Sequence, residues 1–521
     1  MRAIDYFDKS ARAFPDRTAI VEGARNYSYR EVLEITERIA PAMWANGLRG
    51  EQRAAIHSYN HAEVLLCMLG IFRAGAVWVP INFRNALDAN AEFMSYADTE
   101  WLFYDSRLRG DVSKLKSRVP SLRQLVCING EDAGNPSLTK FMADGDGIGD
   151  LKWTGEYGNA DRLMGLVPTG GTTGPAKGVR VTNLAWGTMT EMATHYWRSE
   201  ETPVCLCTAP LSHAAGVVAF TIFALGGANV VIQGFDALQV LRCIELYRVT
   251  HLFLPPTAFY ALLENPELGK FDYSSLRIFL LAGSPVSPER LKRGIEVFGP
   301  CMCQSYGQTE APMLLTWLDP VTLAAAAAGD HPERLASCGK PTSAVHLAIM
   351  DDAGHLRSPN ERGEIVARGT LVTEGYHKMP QATAEIRAHG WHHTGDIGYM
   401  DEEGYVYIVD RKKDMIITGG FNVFSAEVEL GIMTLPGVRE CAVISVPDDH
   451  WGEAVKAIVV PQVGATLSQQ EVIEHCKAKL GSVKSPKSVE FWTEIPKTPA
   501  GKLDRKAIRK SFWENAERQV H

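Results

Sequence analysis

The stretch Thr169–Val179 reads TGGTTGPAKGV and concentrates glycines and threonines just before a lysine. Glycines let backbone N–H groups approach an anion, threonine hydroxyls add hydrogen-bond donors, and Lys177 supplies a positive charge. Such segments also occur as ordinary surface loops, but this density of donors favours a phosphate-binding loop. It is not a Walker A loop, because Gly178 follows the lysine where that motif has Ser or Thr.

The composition around this stretch is that of a globular chain with several domains. Of its 521 residues, 45% are hydrophobic and 22% are charged, which is enough apolar surface for several cores. The net charge of −8 argues against a nucleic-acid partner bound through bulk charge. An anion site in this chain must therefore be built locally, as the quoted loop can do.

Other features bear on the compartment in which the protein works. The ten cysteines are scattered and form no Cys-x-x-Cys pair, which predicts a reducing, cytoplasmic setting. Acids occur within Met1–Asp8, where a signal peptide needs apolar residues. The most apolar run, Val217–Ile232, is interrupted by glycines and is too short to span a bilayer. We interpret it as a core helix followed by a strand, and expect no integral membrane association.

Helix and strand patterns alternate on both sides of the loop. Ser28 and Glu31 form a capping box ahead of one apolar helix period, and Asp236 is positioned to cap another helix. This alternation predicts an α/β fold with parallel sheets flanked by helices. Such sheets bind ligands at the carboxyl ends of their strands, where we expect Ala282–Pro285 and Tyr306–Glu310.

The pattern changes after about Gly339. Short strands separated by Gly, Asp and Asn turns predict a small antiparallel β subdomain. The last hundred residues predict a smaller α+β domain, in which Ser468 and Glu471 form a capping box.

Eight further motifs follow the quoted loop. They are Pro210–Gly216, Tyr306–Glu310, Gly363-Glu364, Arg368-Gly369, Thr394–Asp396, Asp410–Asp414, Gly419-Gly420 and Pro496–Lys502. With this set and order, the chain resembles the adenylate-forming superfamily over nearly its whole length. This superfamily includes acyl-CoA synthetases, aryl-CoA ligases, luciferases and the adenylation domains of peptide synthetases. Its members often have Ser where Gly171 stands and order the Pro175-Ala176 pair differently.

The resemblance implies a division of the chain. Residues 1–410 would form an N-terminal ATP- and acyl-binding domain, residues 411–413 a hinge, and residues 414–521 a mobile C-terminal domain. Lys413 matches the hinge position of the superfamily.

The resemblance also implies an ATP site with Mg²⁺. Thr309 and Glu310 match the positions that bind the α-phosphate and Mg²⁺, and a hard carboxylate oxygen suits that ion. The alternative interpretation of Glu310 is an acidic residue at the start of a helix, where the helix dipole favours a negative charge. Asp396 and Arg411 match the ribose-binding positions. The full set of ATP- and AMP-binding residues is Thr169, Gly170, Gly171, Thr172, Thr173, Gly174, Lys177, Gly283, Ser284, Pro285, Tyr306, Gly307, Gln308, Asp396 and Arg411.

The catalytic residues implied are Lys502, Thr309, Glu310 and His213. Lys502 resembles the lysine that joins the acid and the α-phosphate during adenylation, although a lysine in such a loop is ordinarily solvated surface. His213 resembles the gate between acyl pocket and nucleotide, which we favour over a buried structural histidine.

The resemblance also implies a site for coenzyme A and a pocket for the acyl group. Gly419, Gly420 and Trp451 would bind coenzyme A, although a core tryptophan is an equally good interpretation of Trp451. The acyl pocket would comprise His213, Ala214, Gly216, Pro312 and Met313, whose small and apolar character suits an uncharged organic acid.

Together these features predict an ATP-dependent acyl-CoA synthetase acting on a fatty, alicyclic or aromatic acid. One alternative is a stand-alone adenylation enzyme that delivers acyl-AMP to a carrier protein or another acceptor. Another is a non-enzymatic binding protein on the same scaffold, which the retained Lys177, Glu310, Asp396 and Lys502 disfavour. The expected partners are a small carboxylic acid, ATP and CoA, and a homodimer is compatible with the sequence.

Overall fold

The computed structural model describes residues 1–148, 159–169, 176–448, 451–498 and 503–513. These residues form two compact units. The first contains the described residues up to His346 together with Ala367–His392, and the second contains Leu347–Val366 and the described residues from His393 onward. The predicted hinge at 411–413 concerns movement, which this division does not test, so it stays a prediction.

The strands of the first unit build two sheets. They are β1 Thr18–Glu22, β2 Arg25–Ser28, β3 Arg53–His57, β4 Val77–Pro80, β5 Thr99–Tyr104, β6 Gln124–Cys127, β7 Leu163–Pro168, β8 Gly178–Thr182, β9 Val204–Cys207, β10 Ala228–Val231, β11 His251–Leu254, β12 Ile278–Leu281, β13 Met302–Gln308, β14 Ala311–Leu318 and β15 Lys340–Pro341.

The larger sheet has nine strands among the described residues, in the order β15-β14-β13-β12-β11-β9-β10-β1-β2. Its six central strands, from β13 to β1, pair in parallel, and the outer pairs are antiparallel. The smaller sheet of the described chain has the order β6-β5-β3-β4-β7-β8, parallel except for β7 with β8. The predicted parallel sheets are thus confirmed, and their strands end at common edges.

Helices connect these strands. They are α1 Ala3–Ala13, α2 Tyr29–Ala45, α3 Ala62–Ala74, α4 Leu87–Tyr96, α5 Arg109–Arg118, α6 Leu138–Ala143, α7 Asn183–Tyr196, α8 Ala214–Ala224, α9 Ala237–Leu246, α10 Pro256–Leu263, α11 Pro288–Phe298, α12 Pro320–Ala327 and α13 Pro380–Glu385. The predicted capping box of Ser28 and Glu31 is present, and Asp236 accepts the N–H of Gln239 at 2.7 Å at the start of α9. Among the described helices, none is long and apolar enough to cross a membrane.

The second unit combines two further sheets with three helices in its described part. Its elements, of which only the end residues His346, Ala367, Arg368 and His392 are counted with the first unit, are β16 His346–Met350, β17 Gly363–Arg368, β18 His392–Met400, β19 Val406–Arg411, β20 Ile416–Thr418, β21 Phe421–Val423, α14 Ser425–Met433, β22 Val438–Asp448, β23 Gly452–Pro461, α15 Gln469–Lys484, β24 Ser488–Phe491 and α16 Arg505–Trp513. The strand orders are β16-β17-β18-β19 and β21-β20-β23-β22, with β24 parallel to β23. The predicted capping box of Ser468 and Glu471 begins α15.

The second unit has its own core. Val428 and Ile432 of α14, Val443 and Val455 of β22 and β23, and Val472 of α15 are fully or almost fully buried in one apolar cluster. Burying such a side chain contributes about 1.5–3 kcal/mol relative to leaving it exposed. The α+β character predicted for this part of the chain is confirmed.

One element differs from the sequence prediction. We expected Tyr306–Glu310 to follow the end of a strand, but β13 continues through Tyr306, Gly307 and Gln308. The chain then turns at Thr309 and Glu310 and returns as the antiparallel β14. The partner strand β14 supplies backbone hydrogen bonds that the local sequence pattern does not reveal.

Candidate active site

The described ends of the quoted loop lie against each other. The backbone N–H of Thr169 donates to the carbonyl of Lys177 at 2.9 Å, and the N–H of Lys177 donates to Oγ1 of Thr169 at 3.3 Å. These bonds continue the antiparallel pairing of β7 with β8, in which Pro168 faces Gly178. Lys177 is therefore fixed at the start of β8.

Glu310 lies in the turn between β13 and β14. Its carbonyl accepts the N–H of Thr373 at 2.7 Å, and its Oε1 accepts the hydroxyl of Tyr376 at 2.6 Å. A carboxylate held at a turn is a suitable hard ligand for Mg²⁺. This residue therefore fits the metal role implied by the resemblance.

Tyr376 joins Glu310 to Lys177. The segment Gly375–His377 runs beside β8, with Arg180 N–H donating to Gly375 and His377 N–H donating to Gly178. This pairing places the Tyr376 ring 4.8 Å from Nζ of Lys177. Burial and the adjacent Glu310 raise the pKa of Tyr376, so its hydroxyl stays protonated and donates to the carboxylate.

Tyr376 was not among the predicted site residues. Its place depends on the pairing of two segments that are far apart in sequence, and no motif around it indicated that pairing. Two of the predicted residues, Lys177 and Glu310, are thereby connected through a third side chain that is itself buried.

Two groups of the predicted ATP- and AMP-binding residues occur at the carboxyl ends of neighbouring strands. Gly283–Pro285 follow β12 and are exposed, whereas Tyr306 near the end of β13 is buried. Since β12 and β13 pair in parallel, with Leu281 facing Gln304, the two segments lie at the same sheet edge. This arrangement matches the edge at which α/β sheets bind ligands.

Close packing requires a glycine at position 307. A Cβ at this position would lie 2.5 Å from the backbone nitrogen of Met313. Met313 itself has a positive φ of 58°, at an irregularity where β14 approaches β13. Pro312 and Met313, two predicted acyl-pocket residues, are therefore presented by a distorted and half-buried start of β14.

The predicted gate residue His213 stands at the start of α8. Its ring Nδ1 lies 3.0 Å from Oγ of Ser212, and its backbone N–H donates to the carbonyl of Pro210 at 3.0 Å. Ala214 begins the helix, and a Cβ on Gly216 would lie 2.0 Å from the carbonyl oxygen of Leu211. Gly216 is thus required by the tight turn through which the chain enters α8 at His213 and Ala214.

In the second unit, the predicted ribose-binding residues form an ion pair. Nε of Arg411 lies 2.6 Å from Oδ1 of Asp396, whose side chain is 4% exposed. The two residues face each other across β18 and β19. A carboxylate held in this way presents oxygen acceptors suited to the hydroxyls of a sugar.

Glu364 supports the part of β18 that carries Asp396. Its carboxylate accepts the N–H of Gly395 at 3.0 Å and contacts His393 at 3.1 Å and Lys412 at 3.2 Å. Burial opposes ionisation of this carboxyl, but His393 and Lys412 together lower the pKa of Glu364. The Gly363-Glu364 motif therefore orients the Thr394–Asp396 motif.

The predicted hinge residue Lys413 is exposed in the short 3-10 turn Lys412–Asp414. Asp414, which follows it, is buried and lies 3.5 Å from Arg509 of α16. Before the hinge, Asp410 accepts the hydroxyl of Ser425 at 2.9 Å. Both sides of Lys413 are therefore attached to helices of the second unit.

The predicted CoA-binding residues occur together. Gly419 donates its N–H to the carbonyl of Trp451 at 2.9 Å, and a Cβ on Gly419 would lie 2.5 Å from the Trp451 ring. Gly419 and Gly420 have φ values of 55° and 80°, which favour glycine. Trp451 is 43% exposed and lies beneath Nζ of Lys487, so the alternative interpretation as a core tryptophan is wrong.

Some predicted residues lie outside the described part of the chain. They are Gly170, Gly171, Thr172, Thr173 and Gly174 of the quoted loop, and the predicted catalytic Lys502.

Two family models match the chain. One, described as AMP-binding enzyme, covers residues 7–377, and the other, described as AMP-binding enzyme C-terminal domain, covers residues 427–502. Glu310, Tyr376 and Lys177 all fall within the first match.

The chain is also similar to individual proteins of known name. The chain is 42% identical to a medium/long-chain-fatty-acid–CoA ligase, FadD8, of Mycobacterium tuberculosis over 69% of this chain and 63% of that ligase. It is 33% identical to a feruloyl-CoA synthase of an Amycolatopsis species over 97% of this chain and 98% of that synthase. The amide bond synthetase McbA of Marinactinospora thermotolerans has a TM-score of 0.88 at 28% identity, over 98% of this chain and all of that structure. The α/β fold predicted from sequence is confirmed by this likeness.

Proposed function

Because the chain belongs to the family of AMP-binding enzymes, we propose that it is an ATP-dependent acyl-CoA synthetase. It would join a carboxylic acid to AMP and then transfer the acyl group to CoA. The observation that supports this most is the linked group of Lys177, Tyr376 and Glu310 beside the predicted phosphate loop. A cation and a metal-binding carboxylate at one place suit a polyphosphate substrate.

In the first step, a carboxylate oxygen of the acid attacks the α-phosphorus of ATP. An O–P bond forms, the bond to the β-phosphate oxygen breaks, and pyrophosphate leaves. Two unit charges at 4 Å repel by about 4 kcal/mol at an effective dielectric of about 20, so cations must lie around the phosphates. Lys177 and Lys502 supply this charge in our proposal, and Thr309 donates a hydrogen bond to the α-phosphate.

Mg²⁺ is proposed on the donor chemistry of Glu310. When bound, it would neutralise charge on the phosphate oxygens. The hydroxyl of Tyr376 holds the Glu310 carboxylate in one orientation, and Asp396 with Arg411 would contact the ribose. Gly283–Pro285 and Tyr306 would contact the adenine.

In the second step, the CoA sulfur attacks the carbonyl carbon of the acyl-AMP. A C–S bond forms, the C–O bond to AMP breaks, and the thiol proton is released. Gly419 and Gly420 would leave room for the pantetheine arm, and the exposed ring of Trp451 would stack on the adenine of CoA. Rotation of the C-terminal domain about Lys413 would exchange an arrangement that forms acyl-AMP for one that forms the thioester.

The acid is proposed to be uncharged apart from its carboxylate. The predicted pocket residues Ala214, Gly216, Pro312 and Met313 offer small or apolar surfaces. The ligases FadD8 and feruloyl-CoA synthase are named for a fatty acid and an aromatic acid, so both classes belong in a substrate panel. A homodimer and a cytoplasmic location stay predictions.

A second candidate is an adenylation enzyme with another acceptor. It is favoured by the likeness to McbA, which is named as an amide bond synthetase. The first half-reaction is the same in both cases, and only the nucleophile in the second differs.

The test is acid-dependent AMP release over fatty, alicyclic and aromatic acids, with CoA, with an amine, or with neither. An acyl-CoA synthetase forms a thioester stoichiometric with AMP. Amide formation without thioester would establish the second candidate. No AMP release with any acid would overturn both.

A further inference from the structure

Asn60 lies between β3 and α3, in a segment to which no role was assigned. Its side chain is almost fully buried, with 4% of the residue exposed. Its amide nitrogen donates to the carbonyls of Ala209 at 2.8 Å and Ile232 at 3.3 Å, and its oxygen accepts the N–H of Leu211 at 3.0 Å. One amide therefore makes hydrogen bonds to three backbone groups, of which that of Leu211 is buried.

These three groups lie in the loops that follow two strands of the larger sheet. Ala209 and Leu211 follow β9, and Ile232 follows β10, whereas Asn60 follows β3 of the smaller sheet. The contacts also fix the orientation of the amide, because exchanging its oxygen and nitrogen would place donors against the N–H of Leu211. Asn60 thus attaches the beginning of the loop after β9 to the segment that follows β3 of the smaller sheet.

The position of Leu211 then determines the position of the predicted acyl-pocket residues. Gly216 approaches the Leu211 carbonyl so closely that a Cβ there would lie 2.0 Å from it. His213 and Ala214 lie between these two points, and the N–H of Gly216 donates to the carbonyl of His213 at 2.9 Å. The loop is therefore held at one end by Asn60 and at the other by the turn into α8.

We propose that Asn60 is a positioning residue that sets the acyl-pocket loop and thereby the fit of the carboxylic acid substrate. The inference rests on the proposed function for the identity of the pocket. Asn60 makes no contact with the reacting atoms in this proposal. It acts by holding Leu211, and through it His213 and Ala214.

The test compares Asn60→Ala and Asn60→Asp with the wild type and with Asn183→Ala. Asp is nearly isosteric and keeps the acceptor for Leu211, but it loses both donors. Asn183 is a matched control, since it is buried and its amide accepts from Ala3 and donates to Asn159 at a place remote in sequence from the loop. KM for the acid and for ATP are measured separately, with the thermal midpoint recorded for each variant.

We expect both Asn60 variants to raise KM for the acid about tenfold while KM for ATP changes less than about twofold. Asn183→Ala should lower the thermal midpoint without raising KM for the acid more than KM for ATP. In a His213→Ala background, Asn60→Ala should add little to KM for the acid, because the two residues act through one loop. Equal rises in both KM values, or full additivity with His213→Ala, would overturn the inference.

Hydrogen exchange provides a readout independent of activity. Amides in the peptide Ala209–Gly216 should exchange at least about tenfold faster in both Asn60 variants and not in Asn183→Ala. Unchanged exchange there would overturn the inference even if the wild type formed no acyl-CoA. A wild type without acyl-CoA formation would instead contradict the proposed function.

Discussion

At the scale of single residues, Tyr376 connects the two charged groups of the predicted phosphate site. Its hydroxyl bonds to Glu310 and its ring lies beside Lys177, so the contributions of hydroxyl and ring can be separated by substitution.

Tyr376→Phe removes the hydroxyl and keeps the ring. A hydrogen bond to a charged group contributes about 1.5–3 kcal/mol, so we expect adenylation to slow roughly 10- to 100-fold. The Mg²⁺ concentration for half-maximal ATP binding should rise as well. Acid-dependent pyrophosphate release and equilibrium ATP binding, both titrated with Mg²⁺, measure these effects.

Tyr376→Leu is the comparison variant, because it also removes the ring beside Lys177. We expect a larger rise in KM for ATP than with Phe. Wild-type pyrophosphate release and Mg²⁺ dependence in Tyr376→Phe would show that the hydroxyl does not orient Glu310.

At the scale of elements, β11 begins at a buried histidine. Ring Nε2 of His251 lies 2.7 Å from the carbonyl of Trp197, and burial lowers the pKa of His251 to about 4 from its usual 6.5. The folded state thus holds this ring neutral. The unfolded state takes up a proton first as pH falls below 6.5, so stability is lost between pH 6.5 and 4.

His251→Gln should remove this pH dependence while keeping an N–H donor. Integrated over its range, the shift corresponds to about 3 kcal/mol, most of which appears between pH 7.5 and 4.5. We expect the unfolding free energies of wild type and variant to converge by about 2 kcal/mol over that interval in denaturant titrations. The exposed His195→Gln is the control, and parallel pH profiles of wild type and His251→Gln would contradict the assignment.

The turn between β20 and β21 gives a second prediction at this scale. Gly419→Ala places a Cβ against the Trp451 ring, whereas Gly420→Ala meets nothing within 4 Å although its φ is also positive. The two variants share backbone strain and differ in displacement of the tryptophan. We expect KM for CoA to rise about tenfold more in Gly419→Ala than in Gly420→Ala. Equal KM values for CoA would argue against a role of Trp451 in CoA binding.

The elements also show where sequence reasoning succeeds and where it stops. Capping residues such as Ser28 and Asp236 act within one turn of helix, so the local pattern suffices to find them. The placement of Tyr376 beside β8 depends on a segment far away in the chain. The extension of β13 through Gln308 depends on pairing with the following strand β14, which the pattern within β13 does not reveal. The close approach of Gly419 to the Trp451 ring also joins segments that are distant in the chain.

At the scale of the whole molecule, the proposal assigns the two half-reactions to different residues. Lys502 lies outside the described residues, and its role comes from the resemblance. We expect Lys502→Ala to slow acyl-AMP formation at least about 100-fold, and to leave thioester formation from synthetic acyl-AMP within about threefold of wild type. Single-turnover assays of each half-reaction measure this, with Lys497→Ala from the same motif as control.

Equal slowing of both half-reactions in Lys502→Ala would contradict the assignment of Lys502 to acyl-AMP formation alone. The acidic balance of the chain does not oppose this chemistry, because the charges at Lys177 and Arg411 are local. The absence of a nucleic-acid partner, which we expect from the net charge of −8, stays a prediction.

The proposed function depends on activation of the acid as an acyl-AMP. The most direct measurement uses an acid from the panel carrying ¹⁸O in both carboxylate oxygens, with mass spectrometry of the products. Attack of the carboxylate on the α-phosphorus, followed by cleavage of the acyl C–O bond, predicts AMP with one ¹⁸O and a thioester with the other. AMP without the label, or label found in inorganic phosphate, would contradict the account.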